Sequence, residues 1–114
     1  MATISLQAPP CDFEKSIDQY RKDSIKLVVY MNRLLQQFIP GKTGRYNDEY
    51  APRAFGDNFQ KAGTRTILIE SGGYKNDPEK LYIRKLNFVV ILSALKSISD
   101  LSFKKENIDD YYKI

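Results

Sequence analysis

The feature that most constrains the fold is a short apolar run that ends in an acid and a glycine-rich turn. Residues 64–73 read TRTILIESGG. The run 66–69 is β-branched or aliphatic throughout, which is typical of a strand covered on both faces, as in the sheet of an α/β protein. We therefore expect Glu70 to lie at the carboxyl end of a buried strand.

This position makes Glu70 a candidate site residue. Ligands of open α/β sheets gather outside the carboxyl ends of the strands, and the glycines that follow let the chain turn sharply. The competing interpretation is that Glu70 is a solvated or hydrogen-bonded strand terminus. The local pattern leaves both interpretations open.

The residues before this run predict four elements with distinct patterns. They are a strand at residues 2–8, an amphipathic helix from 12 to about 39, an exposed loop at 41–52 and a short helix at 53–62. The adjacent acids Asp48 and Glu49 are interpreted as part of a solvated turn in the loop. Gly63 suits the position just after the short helix.

A second long helix follows the apolar run. Asp77 as N-cap and Pro78 in the first turn predict its start, and its apolar residues continue to Ile98. Few of its positions are polar, so we expect much of its surface to be covered. Residues 100–114 are more polar and charged, which predicts a frayed tail or a truncated linker.

The order of these elements predicts an α/β fold. We expect a partial three-layer domain with a few-stranded sheet, two long helices and one short helix, because an isolated strand pair with uncovered edges is marginal. The predicted domain spans residues 1–99, with the polar tail at 100–114.

The composition argues against several kinds of partner and site but does not identify a function. The 114 residues carry a net charge of +4 that is scattered along the chain, so we expect no nucleic-acid partner, and no apolar run is long enough to predict a membrane span. The single Cys11 cannot form an internal disulfide. Because the chain has no histidine, it offers neither a Ser-His-Asp triad nor the nitrogen ligands of a typical zinc site.

The run RAFGDNFQKAGTRTILIESGGY and the helix EKLYIRKLNFVVILSAL resemble the C-terminal part of the catalytic domain of the zinc carboxypeptidases. The similarity in the order of elements extends over residues 2–98 and is sharpest at 46–73. It implies that Glu70, followed by Gly73, is the general base and acid that works with zinc-bound water. It also implies that a mobile tyrosine of the preceding loop meets the terminal carboxylate of the substrate.

Tyr50 is assigned to that tyrosine, with Tyr46 as the alternative, because the loop is shorter than in the digestive enzymes. Gly56, just before Asp57, corresponds to the positions that line the specificity pocket. The family's zinc ligands, a His-x-x-Glu pair and a later His, lie upstream of the matched elements. The resemblance therefore implies that this chain starts after the last zinc ligand.

Several expectations follow from the resemblance. The resemblance implies a longer protein, here called the parent protein, of which this chain would be the C-terminal part. We expect zinc in the parent protein and no cofactor in this chain alone. We also expect the chain alone to be inactive. The implied partners are the rest of the catalytic domain and, as substrate of the parent, a peptide or protein C-terminus; nucleic acid and membrane are not expected. The family is usually exported, which suggests a secreted or periplasmic location.

Two other functions are compatible with the sequence. The first is a non-catalytic α/β interaction module that binds partners through tyrosines, which are common in interfaces. Its candidate residues are Tyr46, Tyr50, Tyr74, Tyr111 and Tyr112. The second is phosphate binding by backbone N–H groups at Ser71-Gly72-Gly73, which the late start of the following helix disfavours.

Overall fold

A computed structural model describes residues 2–114 and has the expected α/β class, with a few-stranded sheet, two long helices and one short helix. Its elements are β1 (Ile4–Gln7), α1 (Gln19–Gln36), β2 (Thr43–Arg45), α2 (Phe55–Lys61), β3 (Leu68–Ser71), α3 (Leu81–Asp100) and two 3-10 helices at Ser102–Lys105 and Ile108–Lys113. α1 contacts β1, β2, α3 and both 3-10 helices. The core therefore lies around α1.

β1 is the central strand of a mixed three-stranded sheet. β2 pairs with it in parallel and β3 in antiparallel orientation, in the order β2-β1-β3. Ile4 and Leu6 are fully buried within the core cluster that includes α1. Because side chains alternate across a strand, Ser5 lies on the opposite face of the sheet.

The expected strand at residues 66–69 lies two residues further along and is not covered on both faces. β3 is an edge strand in the described part of the chain, and it pairs with β1 alone. Leu68 and Ile69 are half-buried, whereas Glu70 and Ser71 are exposed. An apolar run of four residues thus marks a half-covered edge strand here.

α1 is shorter than predicted, because its start is set by a cap and not by the first apolar residue. The Asp18 carboxylate accepts a hydrogen bond from the backbone N–H of Arg21 at 2.8 Å, and the helix begins at Gln19. Upstream, Asp12 accepts from the Ser16 N–H at 2.9 Å and Lys15 has a φ of 57°. These residues form a turn that a helix cannot include.

α3 begins three residues later than predicted, after a turn closed by Asp77. Lys80 has a left-handed φ of 60°, and the Asp77 carboxylate accepts from the N–H groups of Tyr82 and Ile83 at 3.2 Å each. Asp77 therefore does bond the free N–H groups at the start of α3, although the residue itself lies outside the helix. Pro78 lies in the turn and not in the helix.

The expectation that α3 is largely covered is wrong for residues 2–114. Ile83, Leu86 and Val90 are buried on one side, yet Phe88 and Leu92 are 69% and 56% exposed. The rest of the described chain covers one side of the helix only. No helix among these residues is long and apolar enough to cross a membrane.

Two segments predicted to be irregular are more ordered than expected. The loop at 41–52 contains β2, and its Asp48 is only 8% exposed, so it is not part of a solvated turn. The segment 100–114 is not frayed: it forms the two 3-10 helices, which pack on α1 and bury Phe103 and Tyr111. These two aromatic residues explain the difference, because their burial fixes the polar residues around them.

Candidate functional site

Glu70 lies on the edge strand β3, on the face of the sheet that carries Ser5. It pairs with Ser5 of β1, which on its other side pairs with Gly44 of β2. A Cβ atom on Gly44 would lie 3.2 Å from Ser5 Oγ, so the two residues share one face. The Ala2 side chain covers Gly44, because an added Cβ there would lie 2.9 Å from Ala2 Cβ, whereas the Glu70 side chain on the edge strand is exposed.

The carboxyl-end argument that singled out Glu70 does not hold in this sheet. β3 runs antiparallel to β1, so the carboxyl ends of β1 and β2 lie at one end of the sheet and the carboxyl end of β3 lies at the opposite end. Ser71, the last residue of β3, is opposite Ile4, the first residue of β1. The feature that supports Glu70 as a site residue is the exposure of its side chain on the edge strand.

Tyr46 is the candidate substrate residue whose backbone is joined to the sheet. Its N–H donates to the Leu6 carbonyl at 3.0 Å, which continues the pairing of β1 with β2. The period of two then places Tyr46 on the same face as Gly44, two residues further along β2. Tyr46 is 42% exposed. This residue and Glu70 therefore share a face of the sheet without being adjacent.

Tyr50 and Gly56 lie further away, beyond the carboxyl end of β1. The Tyr50 ring meets the Phe13 ring edge to face with centroids 4.9 Å apart. A Cβ on Gly56 would be 3.4 Å from Pro9 Cγ. Pro9 lies beyond the carboxyl end of β1, whereas Glu70 pairs with Ser5 inside that strand, so Gly56 is not next to Glu70. The structure does not bring all four candidates into one contact cluster.

Residues 46–52, the tyrosine loop, are held at both ends and in the middle. Gln7 Nε2 donates to the Asn47 carbonyl at 2.6 Å, and the Ala51 N–H donates to Asp57 Oδ2 at 2.9 Å. Between these points Asp48 turns inward. The loop can therefore expose Tyr46 while its backbone stays attached to the sheet and to α2.

Asp48 is the centre of a buried polar cluster, which consists of Arg21, Arg45, Asp48 and Tyr111. Tyr111 donates its hydroxyl hydrogen to Asp48 Oδ1 at 2.8 Å, and Arg45 Nη1 donates to Oδ2 at 2.5 Å. Arg21 Nη2 lies 3.6 Å from the same Oδ2. Two cations thus face one anion in a site where Arg21 is 1% exposed.

The cluster also fixes the end of β1. Tyr111 Oη accepts from the Ala8 N–H at 3.2 Å, and Arg21 Nε donates to the Ala8 carbonyl at 3.3 Å. Burial is the main cause that raises the pKa of Tyr111 to about 12, and the negative charge of Asp48 acts in the same direction. Tyr111 therefore remains a neutral hydrogen-bond donor well above neutral pH.

Sequence reasoning missed this cluster, although one signal was available. Arg21 precedes Ile25 by four residues and Val28 by seven, so it lies on the apolar stripe of α1. A charged residue on such a stripe indicates a buried partner. Nothing in the local sequence indicates that the partner is Asp48 or that Tyr111 joins them.

The residues present do not fit a zinc site. No group of three or more His, Cys, Asp or Glu side chains within residues 2–114 could hold a metal ion. Burial raises the pKa of the Cys11 thiol, followed by the charges of Asp12 and Asp18, whereas zinc binds the thiolate. The zinc that the resemblance implies therefore has no ligand set among residues 2–114.

The tyrosines proposed as one binding surface are not one surface. Tyr111 is fully buried, whereas Tyr46 and Tyr112 are 42% and 48% exposed. Tyr74 packs against Tyr82, with ring centroids 4.8 Å apart. Tyr111 acts inside the fold, which weakens the interaction-module interpretation. For the phosphate interpretation, the N-cap Lys80 of α3 does lie beside the glycines, because its Nζ donates to the Gly72 carbonyl at 3.2 Å. The N–H groups of Tyr82 and Ile83 at the helix start, however, already donate to the Asp77 carboxylate and are not free for a phosphate.

Comparison of the chain with models of known protein families, with curated proteins and with solved structures finds no match.

Proposed function

We propose that this chain is the C-terminal segment of a zinc carboxypeptidase-like catalytic domain and that Glu70 is its proton-transfer residue. The observation that carries the proposal is the exposed Glu70 carboxylate on the sheet face that it shares with Ser5. A carboxylate that transfers protons must be accessible to water and substrate, and Glu70 is exposed. The motif resemblance around Glu70 supplies the reaction class.

In the proposed reaction Glu70 first accepts and then donates the same proton. Its carboxylate accepts a proton from the water whose oxygen forms a bond to the carbonyl carbon of the terminal peptide bond. As the carbon–nitrogen bond breaks, the same carboxyl group gives that proton to the leaving amine. The tyrosine loop, which begins on the same sheet face, would contact the terminal carboxylate of the substrate.

The zinc ligands are assigned to residues of the parent protein outside this chain, since the described residues do not fit a metal site. The same assignment accounts for an exposed, otherwise unpaired edge of β3 in residues 2–114, which further strands of a larger sheet would cover. We therefore expect the chain alone to be inactive.

The test compares this chain with the full-length protein of the same reading frame. We expect the full-length protein to carry an upstream His-x-x-Glu and later His and to release the C-terminal residue of a peptide, which the chain alone does not do. The measurements are amino-acid release and a zinc titration of both proteins. Stoichiometric submicromolar zinc binding together with hydrolysis by the chain alone would refute the proposal, as would a full-length protein without those ligands.

A further inference from the structure

The tyrosine loop is exposed on both sides of one inward-pointing residue. Asn47 and Glu49 are exposed, whereas Asp48 between them is 8% exposed. A short loop whose middle side chain is fixed in the interior has few alternative conformations. Asp48 is therefore the side-chain anchor in the middle of the loop, whose ends are held by the Leu6 carbonyl at Tyr46 and by Asp57 at Ala51.

Tyr111 connects Asp48 to the central strand. Its hydroxyl donates to Asp48 Oδ1 at 2.8 Å and accepts from the Ala8 N–H at 3.2 Å. Ala8 directly follows β1. One oxygen atom of the second 3-10 helix thus bridges the tyrosine loop to the end of β1.

The Tyr111 ring is itself held in place. The Arg45 guanidinium lies over it at 5.0 Å from the ring centroid while Arg45 Nη1 holds Asp48 Oδ2. Tyr111 is fully buried. The hydroxyl is therefore positioned in advance, and the bridge does not depend on a mobile side chain.

We propose that Tyr111 is a positioning residue for the tyrosine loop: through Asp48, the C-terminal 3-10 helix fixes the orientation in which Tyr46 and Tyr50 meet the substrate. The loop contact itself is independent of the proposed function, whereas its role in substrate binding rests on that function. The hydroxyl group carries the role, so Tyr111→Phe removes it and keeps the ring.

The first measurement is site-resolved amide hydrogen exchange on this chain. Tyr111→Phe leaves a buried Asp48 oxygen and the Ala8 N–H without their partner, so we expect the amides of Glu49 and Ala51 to exchange about tenfold faster. The matched control is Tyr112→Phe, a neighbouring tyrosine that is 48% exposed and whose hydroxyl makes no hydrogen bond with residues 2–114.

The amide of Val90, buried in α3, separates loop opening from general destabilisation. Loss of the buried hydrogen bonds also lowers the global stability, which speeds exchange at Val90 but not at loop amides that exchange through local opening. Faster exchange at Glu49 and Ala51 in Tyr111→Phe than in Tyr112→Phe therefore supports the proposal. Equal exchange of these two amides in both variants overturns it.

The second measurement is steady-state kinetics of both variants in the full-length protein. A loosened loop weakens substrate binding without changing the proton-transfer residue, so Tyr111→Phe should raise KM several-fold and leave kcat unchanged. A faster-exchanging loop with unchanged KM would overturn the role in substrate binding. A full-length protein without any peptidase activity would refute the proposed function, and the exchange measurement would still decide whether Tyr111 fixes the loop.

Discussion

The two long helices have similar lengths, but the rest of the chain surrounds α1 and leaves one side of α3 exposed. α1, with 18 residues, is contacted by β1, β2, α3 and both 3-10 helices. α3, with 20 residues, is the more apolar of the two, yet Phe88 and Leu92 on it are mostly exposed. The number of apolar residues therefore does not decide burial; the position of the helix in the fold does.

The two helices also differ in where their charged side chains lie. On α1, Arg21 and Asp23 are buried, and each has a partner: Arg21 faces Asp48, and Arg65 Nε donates to Asp23 Oδ2 at 2.6 Å. On α3, Arg84 is exposed and donates only to carbonyl groups of the turn before the helix and of its cap. Charge is part of the core around α1 and part of the surface on α3.

The largest expected difference comes from equal truncations on the two helices. Leu35 of α1 is 1% exposed and Leu92 of α3 is 56% exposed. Leu35→Ala should lower the free energy of unfolding by about 2 to 5 kcal/mol because it leaves a cavity, whereas Leu92→Ala should change it by less than about 0.5 kcal/mol. Urea unfolding measures both. Equal losses would mean that the outer side of α3 is covered in solution.

The second comparison removes one arginine from each helix. Arg21→Gln leaves Arg45 as the one cation at Asp48 and breaks the hydrogen bond to the Ala8 carbonyl, so we expect a loss of about 3 kcal/mol, the lower end for a broken buried pair. Arg84→Gln should stay within about 0.5 kcal/mol, as surface substitutions do. Chemical denaturation at neutral pH measures the two values. If Arg21→Gln proved as mild as Arg84→Gln, the buried polar cluster would not stabilise the fold.

The third comparison uses pH to probe the side of α1 that the C-terminal segment covers. Tyr111 has its pKa raised to about 12 in the folded chain, so the native state holds this proton more tightly than the unfolded chain. The resulting stability is fully present below pH 10 and is lost as the pH rises through 12. It amounts to about 2 to 3 kcal/mol, since a tenfold change in proton affinity corresponds to about 1.4 kcal/mol.

Thermal unfolding between pH 9 and 12 measures this loss. Wild type and Tyr82→Phe, a half-buried tyrosine on α3, should both show it, whereas Tyr111→Phe should lack it. A Tyr111→Phe chain that loses stability as steeply as wild type over this range would contradict the assignment.

The sequence predicts the three α-helices, β1 and β3 because each is encoded locally, but it misses β2 and both 3-10 helices. Strong helical periodicity, the cap at Asp77 and the glycine after α2 identify the helices, and Gly63 has the expected positive φ of 91°. Their exact starts depend on side-chain caps such as Asp18, which compete with other polar residues nearby. The coverage of α3 depends on packing, which periodicity does not encode.

In the candidate site, too, some features are visible in the local sequence and others depend on contacts between distant residues. The local sequence pattern singles out Glu70, but its exposure on an edge strand and its pairing with Ser5 depend on residues that are 65 positions apart in the sequence. Asp48 and Tyr111 are 63 positions apart, and their hydrogen bond exists only because the second 3-10 helix packs on α1. Contacts of that separation are not visible in local patterns.

The most direct test of the proposed function is Glu70→Gln in the full-length protein, with Glu49→Gln, an exposed acid of the tyrosine loop, as the matched control. Glutamine keeps the shape of the side chain but cannot transfer the proton. We expect kcat to fall by about 10² to 10⁴, the typical value of general acid-base catalysis, while Glu49→Gln leaves it unchanged. A Glu70→Gln enzyme that keeps more than about a tenth of the wild-type kcat would contradict the assignment of Glu70 as the proton-transfer residue.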